Sequence, residues 1–147
     1  TLNYIGDSVM VVFGAPKNLK SHENQAVKCS LKMQEKLKKL NREWDDNETS
    51  RYWKNHGIDS ITMRIGIHTG SVIAGNVGSQ EMRQYSTIGD TVNVAARLEQ
   101  ANKDFKTAIS FSHEIYIALT KELHSQASLS GEIILKGRTS PTKVYSI

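Results

Sequence analysis

The chain has one cysteine among its 147 residues and no long uninterrupted apolar run. Cys29 cannot form an internal disulfide, so we expect a buried structural thiol in a reducing compartment and assign the protein to the cytoplasm. A membrane span needs about 18 or more consecutive apolar residues, and none is present. The first residues also lack the pattern of a signal peptide. Any membrane association is therefore expected to come from domains outside this chain.

The sequence also lacks the patterns of a nucleic-acid-binding surface and of a phosphate-binding loop. The formal net charge is +4, but much of the lysine falls in one predicted helix and is not interleaved with aromatic residues. This pattern indicates a solvated helix face and argues against nucleic-acid binding. No Gly-Lys-Ser/Thr follows the glycines of residues 66–78, so these glycines are interpreted as turn and close-packing positions and not as a phosphate loop.

The first half of the chain is predicted to form a hairpin, a long helix and a strand. Residues 2–5 and 8–13 favour β structure on either side of Gly6-Asp7, and a helix capped by Ser21 is predicted over about 22–43. Residues 44–60 are predicted to be an exposed loop with a helical turn around Trp53. The buried helix residues are expected to be Ala26, Met33, Leu37 and Leu40. Alternating apolar residues predict a strand over 61–67.

The second half mixes strands and helices without regular alternation. Residues 69–78 are expected to turn into a strand or short helix, and residues 108–111 to form a strand. Ser112 is expected to cap a short helix ending near residue 119, and residues 133–135 and 144–147 are predicted to form a final strand pair around 136–138. A single α+β domain covering residues 1–147 is therefore favoured over a doubly wound sheet.

The segment IGDTVNVAAR at 88–97 is the most informative part of the chain. Gly89 permits a turn, Asp90 is a favoured N-cap, and the following apolar residues form one helix face. Asn93 and Arg97 are four residues apart, so both side chains point in the same direction. A neutral donor beside a fixed cation suits an anionic ligand, although a plain surface helix with two polar residues has the same spacing.

Four segments together resemble the class III nucleotide cyclase catalytic domain. They are YIGDSVMVVFGAP at 4–16, RIGIHTG at 64–70, IGDTVNVAAR at 88–97 and LKGR at 135–138, in the order found in that family. The resemblance implies a ferredoxin-like βαββαβ domain with its sheet flanked by helices. It also implies a head-to-tail homodimer with active sites at the interface. The family's upstream Phe-x-Asp-x-x-x-Phe-Thr motif has no match, so the chain is expected to lack the first strand and helices and to be inactive or weakly active alone.

The resemblance also assigns roles to particular residues. Gly6 and Asp7 match the hairpin turn whose aspartate, with the upstream one, holds two Mg²⁺ or Mn²⁺ ions; a turn or capping role is the plain alternative for Asp7. Asn93 matches the residue that positions the ribose, and Arg97 the one that stabilises the transition state. Lys136 matches a lysine that binds the terminal phosphates, although the residues alone suggest only a loop lysine.

Base selectivity departs from the usual family patterns. Adenylyl cyclases usually have lysine at the position of Asn3 and aspartate or threonine at that of Ser86, whereas guanylyl cyclases typically have glutamate and cysteine there. Because a serine hydroxyl can replace that of threonine, the resemblance favours ATP and the production of cyclic AMP. A guanylyl cyclase, and a regulatory or dimerisation domain that keeps the fold without full chemistry, remain the alternatives. His68 has no second ligand at metal spacing and is expected to be packed or hydrogen-bonded.

Overall fold

The computed structural model describes residues 2–78, 83–134 and 141–147. The strands are β1 (Leu2–Ile5), β2 (Ser8–Val11), β3 (Ile65–Ile67), β4 (Ile73–Gly78), β5 (Arg83–Ile88), β6 (Ile109–Ser112), β7 (Ser128–Ile133) and β8 (Thr142–Ser146). The helices are α1 (His22–Asp46), α2 (Arg51–Lys54), α3 (Asp90–Phe105), α4 (His113–Ala118) and α5 (Lys121–Gln126). Within the described ranges, no helix has the length and apolar character required to cross a bilayer.

A four-stranded sheet in the order β3-β6-β8-β7 forms the centre of the domain. β3 runs parallel to β6, while β8 pairs antiparallel with both β6 and β7. All four residues of β6 are buried, as expected for a central strand covered on both faces. This mixed sheet with helices on its faces confirms the predicted α+β, ferredoxin-like class.

The helices cover opposite faces of this sheet. Ile67 belongs to an apolar cluster with Val27 of α1 and Ile115 of α4. Gly66 points to the other face because side chains alternate along a strand, and there a Cβ atom would lie 2.2 Å from the backbone oxygen of Ala95 in α3. The helix that carries Asn93 and Arg97 therefore rests directly on the backbone of β3.

Asn102 fixes the C-terminal part of α3 to the sheet. Its side chain is 1% exposed, and its Nδ2 donates to the backbone oxygen of Ile65 at 3.0 Å as well as to two carbonyls of its own helix. Its Oδ1 accepts hydrogen bonds from Thr107 Oγ1 at 2.7 Å and Ser110 Oγ at 2.8 Å. A buried amide with every polar atom paired gives this end of α3 a single defined position.

Two separate hairpins, β1–β2 and β4–β5, lie beside the central sheet. In the first, Asn3 pairs with Met10, and in the second Ser86 pairs with Gly75. The hairpins meet where Thr87 Oγ1 donates to Met10 Sδ at 3.7 Å. This contact places Asn3 and the 86–87 segment in one region of the molecule.

Several local predictions were wrong in detail. Ser21 has left-handed φ and ψ angles of 53° and 43° and makes no side-chain cap bond. The third strand begins at Ile65, so the alternation that starts at residue 61 begins four residues before the paired ones. Leu40 is 40% exposed, and Cys29 is only half-buried; both line an apolar groove of about 580 Å³ along α1. The helical turn around Trp53 is confirmed as α2.

An ion pair joins the end of α1 to α2. Lys54 Nζ lies 2.7 Å from Asp45 Oδ1. Hydrogen bonds from Lys54 and, secondarily, Ser50 hold the pKa of the Asp45 carboxyl below its ordinary value. Both charged side chains are well exposed, so this pair contributes little to global stability.

The Asp45 pKa provides a test of this local geometry. We expect Lys54→Met to raise it toward the ordinary value near 3.8, because the largest cause of the depression is removed. A depressed carboxylate pKa stabilises the fold above the unfolded-state pKa of about 3.9, and this contribution is lost as pH falls through the folded-state value. NMR titration of the Asp45 carboxyl carbon measures the shift. Lys39→Met is the control, and an unchanged Asp45 pKa in Lys54→Met would contradict the assignment.

Candidate active site

The β1–β2 turn presents a single carboxylate to solvent. Ile5 and Ser8 are the last paired residues of the hairpin, so Gly6 and Asp7 form its two-residue connection. Gly6 has a φ of 62°, a left-handed conformation that glycine adopts without a Cβ clash. The side chain of Asp7 is exposed on this turn. The predicted hairpin and the predicted position of Asp7 in it are both confirmed.

Asp7 is suited to an ion that is shared with a ligand. Among the described residues, no group of three or more histidine, cysteine, aspartate or glutamate side chains could hold a metal by itself. Mg²⁺ is commonly held by one or two carboxylates together with substrate phosphates and water, so a lone exposed carboxylate fits that mode of binding. The chemistry of Asp7 therefore fits a metal that arrives with a polyphosphate.

Helix α3 carries the second set of candidate residues. Its apolar side buries Val94 and Leu98, which leaves Asn93 exposed and Arg97 half-buried. The two polar side chains are one turn apart and share a face, as the spacing predicts. Neither of them has a hydrogen-bond or ion-pair partner within the described part of the chain. They are therefore available to a ligand or to a second protein chain.

The start of α3 differs from the prediction. Gly89, and not Asp90, occupies the N-cap position, with φ 156° and ψ 165°, and Asp90 is the first helical residue. These angles are in a region that only glycine populates freely. Asp90 remains at the positive end of the helix dipole, where a carboxylate is favourable.

The predicted base-recognition residues lie on neighbouring hairpins. Asn3 in β1 is 6% exposed, and Ser86 in β5 is half-buried. Thr87 provides the hydroxyl that contacts Met10 on the opposite hairpin, and it is 5% exposed. Sequence reasoning did not single out Thr87. The strand alternation within the 83–88 segment is a signal that could have identified it, since Ser86 and Thr87 face opposite sides.

Lys136 lies outside the described residues, and so does the centre of the predicted final strand pair. Strand β8 confirms the strand predicted over 144–147, whereas β7 runs over Ser128–Ile133 and ends where the strand predicted over 133–135 begins. The roles of Lys136, Gly6, Asn3, Ser86, Asp7, Asn93 and Arg97 toward a substrate remain predictions.

His68 is hydrogen-bonded, as expected. Its Nδ1 lies 2.8 Å from Ser112 Oγ and 3.8 Å from a carboxylate oxygen of Glu114, and its side chain is 6% exposed. Ser112 occupies the N-cap position of α4, but its side chain makes no cap bond and is used for His68 instead. This cluster joins the ends of β3 and β6.

Comparison with known proteins identifies the family to which this domain belongs. The profile of the "Adenylate and Guanylate cyclase catalytic domain" family matches residues 1–147, and the chain belongs to this family. It is 34% identical over 146 residues to "Adenylate cyclase 1" of Rhizobium meliloti (strain 1021), covering 99% of this chain and 20% of the relative. It is 36% identical over 141 residues to "Receptor-type guanylate cyclase gcy-28" of Caenorhabditis elegans, covering 96% of this chain and 10% of the relative. The chain thus spans a small part of these curated relatives.

Solved structures show the same fold. The adenylyl cyclase CyaB from P. aeruginosa superposes with a TM-score of 0.73 at 29% identity, covering 99% of this chain and 70% of that chain. The guanylyl cyclase Cya2 superposes with a TM-score of 0.76 at 27% identity, covering 99% of this chain and 68% of that chain. Relatives of both substrate types are thus similar to this chain to a comparable degree.

Proposed function

We propose that this domain is an adenylate cyclase that converts ATP into 3′,5′-cyclic AMP and pyrophosphate. The observation that carries the proposal is the pair Asn93 and Arg97 on α3, side by side and without partners in the described part of the chain. Family membership supports the cyclase chemistry. The choice of ATP rests on Ser86, whose hydroxyl can replace that of the threonine usual in adenylyl cyclases, since Asn3 matches neither the adenylyl nor the guanylyl cyclase pattern.

The proposed reaction is an internal displacement at phosphorus. The ribose 3′-hydroxyl gives its proton to solvent water, and a bond forms between the 3′-oxygen and the α-phosphorus. The bond from that phosphorus to the bridging oxygen breaks, and pyrophosphate leaves with the electron pair. Divalent ions supply charge neutralisation and lower the pKa of bound oxygen nucleophiles when they are bound. Asp7, together with a further carboxylate, would hold two Mg²⁺ or Mn²⁺ ions.

The side chains have separate tasks in this proposal. The Asn93 amide hydrogen-bonds the ribose and orients the 3′-hydroxyl. This orientation lowers the entropic part of the activation barrier. The Arg97 guanidinium donates to the phosphate oxygens as negative charge moves onto the leaving group. Lys136 would bind the terminal phosphates as a point charge, and Asn3 and Ser86 would contact the base.

We propose a head-to-tail homodimer as the active form. Within the described residues, no hydrogen bond or ion pair joins Asp7 to Asn93 or Arg97 in one chain. A second copy could bring its α3 to the β1–β2 turn and complete the site. The exposed apolar side chains of the hairpins, including Tyr4 at 73% and Ile73 at 78%, are consistent with a covered surface in the assembly.

The test is product formation from ATP and GTP in competition. The natural polypeptide that carries these residues is supplied with equal ATP and GTP and with Mn²⁺, and both cyclic products are quantified. We expect cyclic AMP to predominate, and Asp7→Asn to lower its formation at least about a hundredfold, or ~3 kcal/mol in the barrier. Asp46→Asn, a change of another exposed carboxylate at the end of α1, is the control.

Each alternative gives a different result. Predominant cyclic GMP would identify a guanylate cyclase with the same chemistry. No product from a folded dimer would favour the regulatory or dimerisation domain and reject the proposed activity.

A further inference from the structure

The first turn of α3 is tied to the segment that follows β3. Thr91 Oγ1 donates a hydrogen bond to the backbone oxygen of Ser71 at 2.8 Å. Gly70, which precedes Ser71, comes so close that a Cβ atom there would lie 2.7 Å from Thr91 Oγ1. A Cβ atom on Gly89 would lie 3.4 Å from the same Ser71 oxygen. The first turn of α3 is therefore in close contact with residues 70–71, with no room for a further side-chain atom at Gly70.

The hydrogen bond from Thr91 holds a helix start that has no side-chain cap. The N-cap residue of α3 is a glycine without a capping side chain. Glycine at an N-cap costs only a few tenths of a kcal/mol relative to serine, threonine or aspartate, so the helix start is tolerable but has no side chain to fix its position. The Thr91 hydroxyl does not cap the helix, but it holds the first turn to a neighbouring segment. It forms a side-chain hydrogen bond between the first turn of α3 and the segment that follows β3.

The position of Thr91 relative to the candidate site makes this hydrogen bond relevant to function. Thr91 precedes Asn93 by two residues and Arg97 by six, so it is in the same helical segment. The Gly66 contact supports α3 in its middle, and Asn102 fixes it near its C-terminal end. Thr91 supplies the corresponding constraint at the N-terminal end, next to the residues that would meet the substrate.

We propose that Thr91 is a positioning residue for Asn93 and Arg97, acting through its hydrogen bond to Ser71. This inference rests on the proposed cyclase function. A displacement of about 1 Å at a reacting group can cost a hundredfold in rate, so loss of this bond should affect turnover more than substrate binding. Thr91 itself is not expected to touch the nucleotide.

The experiment compares an isostere with a conservative variant. Thr91→Val keeps the shape and removes the hydroxyl, whereas Thr91→Ser keeps the hydroxyl. We expect Thr91→Val to lower kcat for cyclic AMP formation by about ten- to a hundredfold with KM for ATP within about twofold, and Thr91→Ser to retain kcat within about threefold. Ser125→Ala is the control, because Ser125 Oγ also donates to a backbone oxygen, that of Glu122, at 2.9 Å but in α5.

A second readout does not depend on catalysis. Amide hydrogen exchange of Val94 to Arg97, whose N–H groups bond to the first-turn carbonyls of α3, should become about tenfold faster in Thr91→Val and not in Thr91→Ser. If the unsubstituted protein forms no cyclic nucleotide, the proposed function fails. The exchange measurement alone then tests whether the Thr91–Ser71 hydrogen bond holds the first turn of α3 in place. Unchanged exchange in Thr91→Val would then overturn it.

Other outcomes also decide the question. With an active protein, an unchanged kcat in Thr91→Val would reject the positioning role even if the melting temperature fell. Equal impairment of Thr91→Ser and Thr91→Val would show that methyl packing, and not the hydrogen bond to Ser71, matters at this position.

Discussion

Arg97→Ala should lower kcat for cyclic AMP formation by about a hundred- to a thousandfold while changing KM for ATP much less. The guanidinium is proposed to bind charge that increases as the pyrophosphate leaves, so its loss raises the barrier more than it weakens the ground state. In the structure, Arg97 is half-buried on α3 and makes no hydrogen bond or ion pair with the residues that the structure describes. Removing it should therefore leave the fold intact. Steady-state kinetics with Mn²⁺, together with a thermal melt, measure both effects.

Arg64→Ala is the matched control for this change. Its guanidinium is also directed at α3, but Arg64 Nε donates to Glu99 Oε1 at 2.7 Å and is already paired. This exposed pair is worth about 1 kcal/mol or less, so its loss should leave kcat within about threefold of the unsubstituted value. Equal losses in the two variants would show that cationic charge near α3 matters generally, and would contradict a specific role for Arg97.

Gly66→Ala should be the most destabilising of the small substitutions considered. A Cβ at this position would lie 2.2 Å from Ala95 O and 2.2 Å from Glu99 N, both backbone atoms of α3. Backbone atoms cannot rotate away, so α3 must move off β3 or the strand must bend. We expect a loss of about 3 kcal/mol or more in the free energy of unfolding, at the upper end of overpacking effects. Urea denaturation measures this loss.

Gly75→Ala provides the comparison in another strand. Apart from its two chain neighbours, no heavy atom of the residues that the structure describes would lie within 4 Å of a Cβ on Gly75 of β4, and the φ of Gly75 is not in the left-handed region. Its free energy of unfolding should therefore change by less than about 1 kcal/mol. If Gly66→Ala were as mild as Gly75→Ala, the close packing of α3 on β3 would be incorrect.

Periodic and turn signals predicted most of the fold. The Gly6-Asp7 turn and helices α1 and α3 are strong local patterns, and the structure contains all of them. Errors occurred where tertiary contacts override local preference. The alternation that begins at Ile61 predicts a strand over 61–67, but only residues 65–67 pair in the sheet. The reason is that the partner strand β6 begins at Ile109, which pairs with Ile65. The short α5 carries few periodic positions and was not predicted.

The candidate site was predicted through motifs, and the structure adds geometry that spacing cannot supply. The spacing of Asn93 and Arg97 in the sequence fixes their shared helix face. Only the three-dimensional structure shows that Arg64 forms an ion pair, whereas Arg97 has no ion-pair partner in the described part of the chain. Likewise, Thr91 is unremarkable in the sequence. Its relation to Ser71 joins residues 20 positions apart and depends on how the helix sits on the sheet.

The buried Asn102 amide has a consequence for the chemical lifetime of the protein. Deamidation replaces the side-chain NH₂ by an oxygen, and here that NH₂ donates to the backbone oxygens of Ile65, Leu98 and Glu99. An aspartate would direct a negatively charged acceptor at three other acceptors in a dry environment, with a cost well above that of one lost hydrogen bond. Ageing of a single amide, with no change in side-chain size, would therefore weaken the attachment of the C-terminal part of α3 to the sheet that supports it.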